Sequence, residues 1–193
     1  VGTALGETWS RPAVGRARVA GLPRYLTFFG SGYDNIPSAP DKVGRSVYAI
    51  DAVDGELVKR WTFDELPEGS ANPSTIDNTI PATVELVDYF DPADATAGPD
   101  GYLDRLYVGD LEGRVWKVEL DQNGIFDGSQ VADSAWPACV LFDAGDPERD
   151  GVRTWAPVIT KPAVAFPETG VDSPQVYFGT GGDDRVPDEL SDG

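Results

Sequence analysis

The sequence of 193 residues contains no histidine and only one cysteine, Cys139. Without histidine the most common general base and zinc ligand of enzymes is missing, and a Ser-His-Asp relay cannot be assembled. A single cysteine cannot form a disulfide within the chain or a thiolate metal cluster. The composition therefore excludes several large classes of enzyme and metal centre.

Positive charge is also scarce, with 15 Lys and Arg against 33 Asp and Glu, and the formal net charge is -18 at pH 7. A surface this acidic repels a phosphate backbone, so nucleic acid is not expected as a partner. Carboxylates suit hard divalent cations, although the same excess also serves solubility alone. No apolar run approaches the ~20 residues of a membrane helix, so no transmembrane segment is predicted. The first residues do not form a signal peptide, and the chain is expected to be a piece of a longer protein.

What the sequence does contain is turn residues, 22 Gly and 16 Pro, between short stretches rich in Val, Tyr, Phe and Trp. This punctuation is typical of strands. Three segments share an opening of a hydroxyl residue, any residue, Pro and Ala, at residues 10–13, 79–82 and 160–163. These openings indicate an internal repeat.

Each repeat continues in the same order of elements. A second apolar strand ends at a glycine in residues 27–30, 106–109 and 176–179. In two repeats a Gly-Arg pair and an alternating strand follow, at residues 44–50 and 113–118. The first repeat then has an Asp54-Gly55 hairpin signal and a strand at 57–63, with 138–142 as the weaker counterpart in the second. Four short antiparallel strands per repeat are typical of a propeller blade.

The sequence thus predicts an all-β fold, a partial β-propeller of four-stranded antiparallel blades with about two and a half blades. The predicted blades are residues 8–66, residues 78–145 and an incomplete blade at 153–193. The repeats are spaced more widely than the roughly 40 to 50 residues of compact blades, so long loops are predicted at 64–77 and 124–135. Closed propellers have about four to eight blades, so the remaining blades of a parent protein, or another chain, are expected to complete the ring.

Several stretches resemble the C-terminal propeller of PilY-type proteins of type IV pili, which is itself similar to the propeller of pyrroloquinoline-quinone enzymes. These stretches are residues 6–14, 29–35, 47–51, 54–56 and 100–110. The resemblance implies a secreted bacterial protein at the pilus tip or cell surface, acting in pilus assembly, adhesion and twitching motility. It implies minor pilins as partners, a host or abiotic surface as a further contact, and a calcium site that modulates pilus extension and retraction.

In that family the calcium loop ends in Asp-Gly-any-any-Asp directly before a strand, and residues 100–104 fit this ending. The interval from Pro81 to Gly109 is longer than the intervals in the other repeats, so an insertion is predicted within residues 88–104. Calcium takes six to eight oxygen ligands. The predicted ligands are Asp88, Asp94, Asp100, the Tyr102 carbonyl and Asp104. The alternative is an acidic surface loop with an Asp-Gly turn and no ion.

The predicted role is not enzymatic. The main alternative is a quinone-dependent dehydrogenase, because the alternating strand and its Asp54-Gly55 turn also resemble repeats of those enzymes. That activity needs a general base and a calcium ion beside the quinone in the central channel, and no Asp of this sequence is singled out for the role. A carbohydrate-binding propeller is a further alternative, compatible with exposed aromatic residues.

Overall fold

The computed structural model describes residues 5–33, 43–62, 79–88, 99–111, 113–120, 126–127, 130–131, 135–144, 157–166 and 174–181. Regular structure in these ranges consists of β-strands alone. In chain order the strands are β1 (Ala13–Val19), β2 (Leu22–Gly30), β3 (Ser46–Asp51), β4 (Leu57–Thr62), β5 (Glu85–Val87), β6 (Arg105–Gly109), β7 (Arg114–Glu119), β8 (Phe126–Asp127), β9 (Gln130–Val131), β10 (Ala138–Asp143), β11 (Ala163–Ala165) and β12 (Gln175–Tyr177).

The first repeat forms a four-stranded antiparallel sheet in the order β1-β2-β3-β4. A two-residue turn at Ala20 and Gly21, both with positive φ, joins β1 to β2, as hairpins with the twist of the strands require. The predicted Asp54-Gly55 turn joins β3 to β4. Gly55 has φ of 78°, and its amide donates to the Asp51 carbonyl at 3.0 Å. The chain therefore runs through this sheet as consecutive hairpins.

The second repeat forms a sheet of the same kind, in the order β5-β6-β7-β10. A small hairpin of β8 and β9 lies between β7 and β10 along the chain. The sequence predicts a loop at 124–135. The structure differs from this prediction, since β8 and β9 pair as a short hairpin that the weak strand signal there did not reveal. The other predicted loop, 64–77, lies outside the described residues.

The third repeat is represented by a two-stranded sheet of β11 and β12. The first strands of the repeats are neighbours, since β5 contacts both β1 and β11. This places the three repeats side by side in chain order. The predicted blade limits 8–66, 78–145 and 153–193 fall partly on residues that are not described, and they stay a prediction.

One apolar core joins the two larger sheets. It includes Leu26, Phe28 and Val47 from the first sheet and Leu106 and Val108 from the second, all with 0% exposure. Alternation explains why these residues meet, because successive side chains of a strand point to opposite faces of its sheet. Along β2, for instance, burial alternates from Leu26 to Gly30.

Two tryptophans contact each other between the two larger sheets. The rings of Trp61 and Trp136 stack with centroids 6.2 Å apart, and the Trp61 indole N–H donates to the Trp136 carbonyl at 2.9 Å. Trp61 lies on β4 of the first sheet, and Trp136 lies two residues before β10 of the second. The aromatic residues thus fill the gap between repeats, as large side chains do in propellers.

In the part of the chain that the structure describes, we find no helix that could span a membrane.

Candidate functional site

The candidate loop connects β5 to β6 in the second sheet. Asp88 follows β5 directly, and Asp104 directly precedes β6. The Asp104 amide donates to the Val87 carbonyl at 2.9 Å, and the Asp104 carbonyl accepts from the Leu120 amide at 2.7 Å. Both ends of the loop are therefore fixed by the sheet itself.

The Asp-Gly turn of this loop is held by carboxylates. The Asp88 carboxylate accepts from the amides of Asp100 at 3.2 Å and Gly101 at 2.8 Å. Oδ1 of Asp100 accepts from the Tyr102 amide at 2.8 Å, which closes an Asx turn. Gly101 has φ of 82°, a conformation that a side chain disfavours. Residues 100–102 are thus held by the carboxylates of Asp88 and Asp100.

Two arginines of the first sheet bind the same loop. Arg16 and Arg18 lie on β1, two residues apart and hence on one face, and both stack on the Tyr102 ring. Their guanidinium carbons are 4.0 Å and 3.7 Å from the ring centroid. Arg16 Nε also donates to the Gly101 carbonyl at 3.2 Å, and an Arg18 nitrogen lies 3.5 Å from Asp100 Oδ2. The loop therefore bridges two repeats.

The apolar part of this contact is close as well. The Leu103 amide donates to the Arg16 carbonyl at 2.7 Å. A Cβ placed on Gly15 would lie 2.4 Å from Leu103 Cδ1, so the Leu103 side chain occupies the space that glycine leaves on β1. Such a close approach needs a residue without a side chain.

The structure describes four of the five predicted ligands, namely Asp88, Asp100, Tyr102 and Asp104. Asp94 lies outside the described residues. Within the described ranges, no group of three or more His, Cys, Asp or Glu side chains is close enough to hold one metal ion. One oxygen of Asp100 faces the Arg18 cation. The described donors alone do not form a calcium cage of six to eight oxygens, and the full ligand set stays a prediction.

We expect Tyr102→Ala to loosen the loop from β1, because both arginines lose their aromatic contact. A cation–π contact at a partly exposed site contributes about 0.5–1 kcal/mol, so the loss of global stability should be small. Hydrogen exchange of residues 99–104 should accelerate at least several-fold. Tyr25→Ala is the matched control, since Tyr25 lies on β2 and is 57% exposed. Equal exchange in both variants would contradict the bridging role of Tyr102.

A second set of polar groups recurs where the second strand of each larger sheet ends. Ser31 Oγ accepts from the Ser46 amide at 2.7 Å, and Asp110 Oδ1 accepts from the Arg114 amide at 2.9 Å. Asp110 Oδ2 also accepts from the Trp116 indole N–H at 2.8 Å. Ser31 and Asp110 both have 0% exposure. Each therefore caps the first amide of the following strand from inside the protein.

The sequence alone does not reveal these capping roles. Ser31 and Asp110 each follow a glycine at which the sequence predicts that a strand ends, and that pattern assigns no role to the next residue. The signal that could have revealed them is their shared position one residue after the glycine. Arg16 and Arg18 carry a weaker signal, two alternating cations on one strand of an acidic chain.

We call Gly30, Gly109 and Gly179 the closing glycines, because the sequence predicts that each ends the second strand of its repeat. Gly30 and Gly109 are the last residues of β2 and β6, whereas β12 ends at Tyr177, two residues before Gly179. A Cβ on Gly30 would lie 2.3 Å from the Ile80 carbonyl oxygen. A Cβ on Gly109 would lie 2.3 Å from Val158 Cγ1 and 2.5 Å from the Val158 oxygen. At the first two closing glycines, the next repeat therefore approaches the chain more closely than a residue with a side chain would allow.

Repeated four-stranded antiparallel sheets, adjacent first strands and recurring contacts between successive repeats define a partial β-propeller, as the sequence predicts. The same fold is found in the crystal structure of the Pseudomonas aeruginosa PilY1 C-terminal domain, which matches 93% of this chain with a TM-score of 0.58 and 21% identity. The predicted likeness to a PilY-type propeller is confirmed at the level of the fold. The chain spans 34% of the length of that solved domain.

No family model matches this sequence, and no curated protein matches it either.

Proposed function

We propose that this chain is a non-enzymatic propeller segment of a type IV pilus-associated protein that acts in pilus assembly, extension and retraction, and surface attachment. The observation that carries the proposal is the shared fold with the PilY1 C-terminal domain over 93% of the chain. The sequence stretches that resemble PilY-type propellers, such as residues 100–110, support it independently. On this proposal the segment lies at the cell surface, where minor pilins and the remaining blades of the parent protein contact it.

An in-frame deletion of this segment from the parent gene tests the pilus function. We expect fewer surface pili by electron microscopy and smaller twitching zones, with both restored when the intact segment is supplied again. A complementing gene that carries Tyr25→Ala, an exposed substitution, should restore both as well as the wild type does. Unchanged piliation and twitching after the deletion would overturn the proposal.

The dehydrogenase alternative is tested on the parent protein with pyrroloquinoline quinone and Ca²⁺ added. We expect no reduction of an artificial electron-acceptor dye with a panel of alcohols and sugars. Turnover that depends on the quinone would favour the enzyme instead.

We propose further that the loop at residues 88–104 binds Ca²⁺ through Asp88, Asp94, Asp100, the Tyr102 carbonyl and Asp104. Support comes from the Asp88 carboxylate, which reaches the turn at Asp100 and accepts from its amide, and from the net charge of -18. Carboxylates that share a turn repel one another, and a divalent cation would relieve this repulsion. Bound calcium would then fix the loop that already bridges the first and second repeats.

Calorimetric titration with Ca²⁺ checks this site. We expect one ion per chain, with binding weakened at least tenfold in Asp100→Asn, because the substitution removes one anionic ligand. Asp54→Asn is the matched control, since Asp54 belongs to the other Asp-Gly turn, where it accepts from the nearby Glu56 amide at 2.8 Å. Absence of binding heat, or equal weakening by both substitutions, would remove the calcium proposal.

A further inference from the structure

The first two closing glycines share one kind of partner. Gly30 is covered by Ile80 and Gly109 by Val158, and both partners are β-branched aliphatic residues with 0% exposure. Ile80 lies within the opening 79–82 of the second repeat, and Val158 lies two residues before the opening 160–163 of the third. The contact therefore recurs from one repeat to the next although the chain between the partners differs in length.

Backbone hydrogen bonds accompany both contacts. The Ile80 carbonyl accepts from the Gly32 amide at 3.0 Å, and the Ile80 amide donates to the Gly44 carbonyl at 2.8 Å. In the second contact the Val158 amide donates to the Asp110 carbonyl at 2.9 Å. The incoming segment is thus extended and pairs with residues that lie just after the closing glycine.

The third closing glycine differs. A Cβ on Gly179 would meet Thr160 Oγ1 at 4.0 Å and nothing nearer in the described part of the chain, and Thr160 belongs to the same repeat. Tyr177, the last residue of β12 and two residues before Gly179, is 56% exposed. Its counterparts in the other repeats, Phe28 and Tyr107, are 0% and 2% exposed.

One exposed aliphatic side chain lies next to this position. Ile159 is 48% exposed, and its Cδ1 would lie 3.5 Å from a Cβ placed on Gly181. Ile159 and Tyr177 thus leave exposed apolar groups near Gly179, as expected of a surface that another segment covers.

We propose that Gly179 and Thr180 form a docking site for an extended segment that carries a β-branched aliphatic residue and opens the following repeat of the parent protein. This inference rests on the proposed role of the chain as part of a larger propeller. Continuity with the two existing contacts identifies the occupant. The solved PilY1 domain, of which this chain matches 34%, has the additional length that a further repeat requires.

The second contact predicts the geometry of the third. Thr180 stands where Asp110 stands, one residue after the closing glycine, so the amide of the incoming aliphatic residue donates to the Thr180 carbonyl. The Gly181 amide already donates to the Pro157 carbonyl of its own repeat at 2.8 Å. The aliphatic side chain then lies over Gly179 and covers Tyr177.

Gly179→Val, made both in the parent protein and in the 193-residue chain, tests the docking site. In the parent we expect the melting temperature of the propeller to fall by roughly 2 °C or more, because valine occupies the space of the incoming segment. In the 193-residue chain the same substitution should leave the melting temperature unchanged. Hydrogen exchange of residues 175–179 should be slow in the parent and fast in the chain.

Three results would overturn the inference. The first is an unchanged melting temperature of the parent, and the second is an equal fall of the melting temperature in both proteins. The third is a dimer of the 193-residue chain that Gly179→Val dissociates, because a second copy would then be the occupant. Size-exclusion chromatography with light scattering detects the dimer. These measurements do not involve pili. The docking site can therefore be disproved while the pilus function is supported, and the pilus function can be disproved while the docking site is supported.

Discussion

Replacing Asp110 by alanine should lower the free energy of unfolding by about 2–5 kcal/mol, because two buried donors lose their acceptor. The Trp116 indole N–H and the Arg114 amide both donate to this carboxylate, and Asp110 has 0% exposure. Water cannot easily replace the carboxylate at such a position, and an unsatisfied buried donor retains its full desolvation cost. Urea unfolding followed by tryptophan fluorescence measures the loss.

Two substitutions calibrate this result. Ser31→Ala removes the equivalent cap of the first sheet, where the Ser46 amide is the donor, so we expect a smaller loss of about 1–2 kcal/mol. Asp54→Ala removes an exposed aspartate from a turn and should cost less than about 1 kcal/mol. If Asp110→Ala destabilises no more than Asp54→Ala, the buried cap does not stabilise the second sheet as we infer.

Alanine at Gly30 or Gly109 should each lower the free energy of unfolding by about 1–3 kcal/mol through overpacking. The new Cβ would lie 2.3 Å from the Ile80 oxygen or from Val158 Cγ1. Neither glycine has a positive φ, so the loss comes from the contact and not from backbone strain. For a chain of this size, differential scanning calorimetry should show a fall in melting temperature of roughly 2–10 °C.

Gly179→Ala is the matched control within the same chain. It changes the same residue type at the same repeat position, but its Cβ would meet Thr160 Oγ1 at 4.0 Å, an ordinary contact distance. We expect its melting temperature to equal that of the wild type within about 1 °C. Equal destabilisation at Gly109 and Gly179 would show that the strand end, and not the contact with the next repeat, requires glycine.

Much of the strand framework could be predicted from the sequence, because strand and turn signals are local. The alternating stretch at 44–50 became β3, and the stretch at 138–142 became β10 with one further residue. The Asp54-Gly55 turn was identified because Asp-Gly favours this hairpin geometry. The β8–β9 hairpin was missed, since two-residue strands carry too little pattern to distinguish them from a loop.

The candidate site was predicted only in part, for a related reason. Asp88, Asp100 and Asp104 could be found because they lie within one stretch of sequence. The contacts of Arg16 and Arg18 with Tyr102 could not, because they join residues more than 80 positions apart and depend on how two sheets pack. Tertiary contacts of this kind are not encoded in local spacing.

The contacts at the closing glycines also bear on how far such sequences can diverge. Gly30 accommodates the backbone oxygen of Ile80, and the accompanying hydrogen bonds join main-chain atoms alone. Main-chain atoms are the same whichever residue carries them, so at this contact the hydrogen bonds place no demand on the side chains, and the glycine and an aliphatic residue of suitable shape suffice. A protein assembled in this way can exchange most of its side chains over time and keep its architecture, in agreement with a shared fold at 21% identity.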